Sequence, residues 1–203
     1  MIPDTLIVCA VGWLLVGVSL AIAARYDALH RAVSNKIVYG FWAACAVLFV
    51  CRVAAAVLFG DTAGFVFLKK PVSPAATIFY MVLFQAISYA LFCVLLRFLY
   101  THQKYIKLGG GDVKILACLA VCLPLHHMLC VFGGTFLAAF ALLIAAALTS
   151  GDFTEDGVLR NLAIERRNNR SPYLLFLFIS FTIYVLIMTL DKLGVWGISW
   201  RFW

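Results

Sequence analysis

The segment TLIVCAVGWLLVGVSLAIAA, from Thr5 to Ala24, carries no charged residue along its whole length. At about 1.5 Å of rise per residue, such a run spans the roughly 30 Å hydrocarbon core of a bilayer as a helix. It follows Met-Ile-Pro-Asp rather than a basic stretch and is longer than a signal-peptide core, so it reads as a retained membrane helix. Working outward, Ile37–Phe59 repeats the pattern with only Arg52 inside it, and Ala75–Leu96 and Pro172–Leu190 are further apolar runs. The stretch from Ile115 to Leu148 is too long for one helix and is broken at Pro124-Leu125-His126-His127. It divides into a short fourth helix, which must begin near Asp112 to gain length, and a fifth from Met128 to Leu148. The expectation is an all-α polytopic membrane protein with about six transmembrane helices, forming a single domain over residues 1–203.

Composition agrees. Of 203 residues, 65% are hydrophobic and 12% charged, and the mean hydropathy is +1.03. Soluble domains average about 45–50% apolar and about 25% charged residues, so the solvent here is largely lipid. The net charge of +7 is not gathered into one patch, which excludes a nucleic-acid partner and leaves the lipid bilayer as the surrounding one. With the amino terminus outside, the first, third and fifth loops hold eleven of the sixteen Lys and Arg, from Arg25, Arg31 and Lys36 to Arg166, Arg167 and Arg170. The positive-inside rule makes those loops cytoplasmic.

Several features have plain readings. The seven cysteines lie in apolar stretches without a CxxC pair, so they read as small hydrophobes; no metal and no cofactor is expected. Thr149–Ser171 is the longest polar segment, too short for a second domain, and its basic residues read as topogenic. His126-His127 reads as a polar hairpin turn on the opposite membrane face, and Trp196, Trp200 and Trp203 as an interfacial anchor.

Acidic residues number only nine. Seven are terminal or in loops, where charge is ordinary. Asp27 follows the first helix at its cytoplasmic end and Asp112 opens the fourth at the same face, so the topology brings two distant carboxylates to one depth. Position alone leaves an alternative: Asp27 balances Arg25 or Arg31, and Asp112 is a helix N-terminal acid favoured by the dipole. The surrounding Lys107-Leu108-Gly109-Gly110-Gly111-Asp112-Val113-Lys114 adds three glycines directly before the acid. Glycines permit close approach of another chain, such as an extended substrate beside a catalytic carboxylate. A nucleotide loop is excluded, since there is no GxxxxGK[ST] and no preceding strand.

Gly109-Gly110-Gly111-Asp112-Val113-Lys114 resembles the GxGD-plus-Lys motif of the type IV prepilin peptidase family, and Asp27 to Asn35 resembles that family's first motif. Val33 and Asn35 fit the first motif, while Ser34 stands where the family has proline. Arg170-Ser171-Pro172-Tyr173 is similar to the proline-containing start of the family's last helix. The resemblance implies an aspartic endopeptidase with Asp27 and Asp112 as the catalytic pair, supported by Gly109, Gly111, Lys114 and Asn35. It implies a prepilin substrate, with a basic leader ahead of a hydrophobic helix, cut at the cytoplasmic face of the inner membrane, and pilus-assembly machinery as a further partner. The chain has neither CxxC pairs nor a long early loop and is similar to the compact members of tight-adherence pilus systems, so no N-methyltransferase activity is expected. Two rivals remain: a small ion-coupled transporter or channel with Asp27 and Asp112 on its path, and a catalytically silent pilus-assembly protein.

Overall fold

In lipid a backbone must satisfy its own N–H and C=O groups, and a helix does so within one segment. A computed structural model describes the backbone of residues 4–30, 33–59, 73–101, 109–150 and 173–192, with side chains described outside 4–8, 142–150 and 191–192. Among these residues every element is an α-helix: α1 Asp4–His30, α2 Asn35–Phe59, α3 Pro74–Thr101, α4 Gly110–Cys122, α5 Leu125–Ser150 and α6 Tyr173–Lys192. Four of them, α1, α2, α3 and α6, are long and apolar enough to cross a membrane. Arg31, Lys104, Lys107, Lys69-Lys70-Pro71, the polar segment from Gly151 through Pro172 and the three late tryptophans lie outside the described residues.

Each helix presents two faces. On α1, Val16, Leu20 and Ala23 are buried, whereas Leu14, Val18 and Ile22 point outward. Large exposed apolar side chains such as Leu58, Phe79, Val94 and Leu137 continue this outer surface. Water would penalise that arrangement; lipid matches it. Helix–helix approach therefore depends on small residues and polar contacts. A Cβ on Gly12 would stand 2.8 Å from the Leu48 Cα, so α1 and α2 cross at a point only glycine permits. Between α5 and α6, Ser180 Oγ donates to the Val131 carbonyl at 2.7 Å, and Tyr184 Oη pairs with His127 Nδ1 at 2.6 Å. One residue number rises by four while the other falls by four, the register of antiparallel helices. His127 is thus a buried bundle residue in the first turn of α5, not part of an exposed polar turn. Its ring nitrogen is satisfied by Tyr184, which a reading of the hairpin alone does not include.

Helix α4 lies at the centre. Ile115, Leu116, Leu119, Ala120 and Cys122 are buried, and Cys118, Cys122 and Cys45 of α2 share the main core, as small hydrophobes do. Its 13 residues reach about 20 Å, short of a hydrocarbon core. The helix ends because Pro124 has no N–H to offer the Ala120 carbonyl four residues back. Gln85 of α3 replaces that donor: its Nε2 bonds Ala120 O at 2.7 Å and Leu123 O at 2.9 Å. Arg52 of α2 donates to the Cys122 carbonyl, giving the lone charge of that apolar run a function. Met128 N then bonds Pro124 O at 3.0 Å and α5 begins.

Gln85→Met keeps the volume but leaves two buried carbonyls without a donor, and it is expected to destabilise the protein by about 1–3 kcal/mol. The thermal midpoint in detergent or bicelles reads this; an unchanged midpoint would show that α4 does not need the cap.

Candidate active site

The α1–α2 connection and the start of α4 meet at one end of the bundle. Helix α1 runs past the apolar segment to His30, so Asp27 lies within its last turns and does not follow the helix. The apolar run marks how much of α1 suits lipid, whereas the helix itself continues as long as its backbone bonds do. Tyr26 and His30 stack beside Asp27 with ring centroids 4.1 Å apart, and His30 Nδ1 lies 3.2 Å from the Tyr26 carbonyl.

Ser34, which stands where the resembled motif has proline, caps α2. Its carbonyl accepts the N–H groups of Ile37 and Val38 at 3.1 and 3.2 Å, and its Oγ accepts that of Ile37 at 3.4 Å. Serine at this position satisfies a helix N-terminus with its side chain. Asn35, the first residue of α2, then accepts a hydrogen bond from Lys114 Nζ at 3.0 Å. This bond ties the two motifs together across 79 residues of sequence.

The glycines differ in their roles. Gly109 has φ −69° and ψ 152°, a backbone open to any residue, but a Cβ there would stand 2.9 Å from Asp112 Oδ2. At Gly111 a Cβ would meet Val33 at 3.1 Å from Cγ2 and 3.2 Å from Cβ. A Cβ on Gly110 would meet nothing within 4 Å. The close approach that the glycines permit is therefore made by the chain's own Val33 and by the Asp112 carboxylate, where the sequence suggests a substrate. The alternation of crowded, open and crowded positions is the GxG pattern.

Asp112 lies in the first turn of α4, outside the four long apolar helices. Its Oδ2 accepts the Gly109 N–H at 2.9 Å, half of a capping box. Burial pushes its carboxyl from the usual 3.8 up to about 6; the Gly109 hydrogen bond opposes the shift and the charge of Asp27 adds to it. The two acids are thus within electrostatic reach of each other. Tyr173, the first residue of α6, is within reach of Asp112 as well. Sequence reasoning places Tyr173 only in a proline-containing helix start, although an aromatic hydroxyl at that end of the bundle was a readable signal.

The structure brings Asp27, Asn35, Gly109, Gly111, Asp112 and Lys114 into one neighbourhood. Ionising one of two carboxylates so placed raises the cost of ionising the other. Among the described residues no group of three or more His, Cys, Asp and Glu forms a metal-holding cluster. No family model, curated protein or solved structure matches this chain, so the family resemblance rests on its motifs.

Gly111→Ala is expected to destabilise the protein by about 1–3 kcal/mol by pushing Val33 away, while Gly110→Ala leaves the thermal midpoint equal or higher. Equal losses at both positions would remove the packing argument. Asp27→Asn takes away a neighbouring negative charge, so the Asp112 pKa should move down from about 6. Carboxyl-carbon NMR on the labelled protein measures this; a value that stays or rises would show that the two acids do not interact.

Proposed function

We propose that the protein is a membrane-embedded aspartic endopeptidase that removes the basic leader from prepilin-like substrates. The observation that carries this reading is the meeting of two sequence-distant acidic segments, with Lys114 bonded to Asn35, Val33 seated on Gly111 and the Asp27 charge within reach of Asp112.

The chemistry follows from the pair. One carboxylate is ionised and takes a proton from a water, which attacks the scissile carbonyl. The other is protonated, hydrogen-bonds the carbonyl oxygen and then helps to protonate the departing amine. The raised pKa of Asp112 supports a proton held within the pair near neutral pH. The two acids act as a unit, and no separate role is assigned to either.

Six crossings with the amino terminus outside put the first, third and fifth loops on the cytoplasmic side of the inner membrane. Asp112, at the head of α4, then faces the cytoplasm, where a basic leader would lie while its hydrophobic helix stays in lipid. The helix ends gathered around Asp112 are consistent with that topology: α1 arrives there, and α2, α4 and α6 start there. A transporter places its ionisable groups along a path near the bilayer midplane. Both acids here are in terminal turns of their helices, which favours hydrolysis over ion conduction.

Co-expression with a prepilin-like protein, scored by mass spectrometry, tests the reading. Wild type should remove the leader, and Asp27→Asn or Asp112→Asn should lower the rate by roughly 10²–10⁴-fold while the protein still inserts. Because the required proton is lost as pH rises through the pKa, the wild-type rate should fall above about pH 6. Full cleavage by either Asn variant would rule out the acid pair.

A further inference from the structure

A second polar group lies near Asp112 at the start of α6. The Tyr173 hydroxyl is shut off from solvent and makes no hydrogen bond. Its ring packs against the main core, which holds the side chain in place at the start of α6. The Thr135 side chain lies beside it, and because the Thr135 hydroxyl gives its own proton to the Val131 carbonyl at 2.8 Å, it has only lone pairs to offer the phenol. The charge of Asp112 acts on Tyr173, so the phenol lies near that carboxylate without bonding to it.

Burying a hydroxyl without a partner costs about 1–3 kcal/mol relative to a satisfied one. Phenylalanine would fill the same space without that penalty. A buried donor of this kind, near a carboxylate, has a use when a ligand brings an acceptor to it.

We propose that the Tyr173 hydroxyl donates a hydrogen bond to the carbonyl oxygen of the peptide bond being cut, as a second donor beside the protonated aspartate. This rests on the protease reading above and adds a residue that reading does not contain. As water attacks, negative charge grows on that oxygen, and a donor already in place stabilises it without reorganising. No proton leaves the tyrosine; the Asp pair carries all proton transfer. In this role Tyr173 touches the reacting carbonyl and is a catalytic residue.

The test uses the full chain, purified into nanodiscs, with a synthetic peptide of basic leader, glycine and apolar helix. Tyr173→Phe should lower kcat by roughly 10–10³-fold, with KM little changed. Its thermal midpoint should equal or exceed that of wild type, since the change deletes an unsatisfied group. The pKa of Asp112, read by carboxyl-carbon NMR, should not move. Wild-type turnover by Tyr173→Phe would overturn the inference and leave the protease reading intact. A lowered midpoint would overturn it by giving the hydroxyl a structural partner. A rise in the Asp112 pKa would overturn it by showing that the hydroxyl bonds that carboxylate. If wild type itself leaves the peptide uncut while Tyr173→Phe is equally inert, the protease reading fails and this inference falls with it.

Discussion

The missing N–H of Pro124 governs the centre of this molecule. It leaves the Ala120 carbonyl without its helical partner, and α4 ends in apolar surroundings where no solvent replaces the bond. Gln85 and Arg52 supply donors from the two neighbouring helices, so the end of α4 is bonded to α3 and α2 at once. The other end of α4 is held by the Lys114–Asn35 bond and by Val33 seated on Gly111. A short helix pinned at both ends has little freedom to slide, and Asp112 moves with it. The placement of one carboxylate against the other therefore depends on side chains far from both.

Much of this was legible in the sequence because lipid makes the code simple. Uncharged runs mark the long helices, Pro124 marks the break between α4 and α5, and the motifs around Asp27 and Asp112 mark two segments that the fold brings together. Other features depend on tertiary contacts that no local pattern encodes. Hydropathy places the end of α1 too early, because it reports where lipid ends while the helix extends beyond it to His30. Gln85 lies inside an apolar run, where a lone amide needs partners, and the carbonyls at the end of α4 are those partners. Arg52 carried the same signal as the one charge in its run. The pairing of His127 with Tyr184 required knowing that α5 and α6 are antiparallel neighbours.

The glycines show how a motif separates into physical parts. All three residues look alike in the sequence, but Gly109 makes room for a carboxylate, Gly111 makes room for a neighbouring loop, and Gly110 has open space. None of these uses needs a left-handed backbone at Gly109, whose angles suit any residue. Requirement at two positions and indifference at the one between them is what a GxG pattern encodes. Ser34 makes the complementary point. Proline stiffens a chain entering a helix, whereas Ser34 caps α2 directly ahead of the Asn35 that receives Lys114.

Opposing influences on Asp112 decide what the site can do. The N-terminus of α4 and the Gly109 N–H both favour the ionised carboxylate, and alone they would hold its pKa low. Burial acts the other way and prevails, with the Asp27 charge adding to it, so the carboxyl ends at about 6. Without the hydrogen bond, burial would raise it further. If the hydrogen bond acted without burial, no proton would be present near neutral pH. A carboxyl balanced between the two can hold a proton at rest and give it up in a reaction, and that balance requires a helix N-terminus sunk into an apolar bundle beside a second acid. The short, doubly pinned α4 supplies that setting.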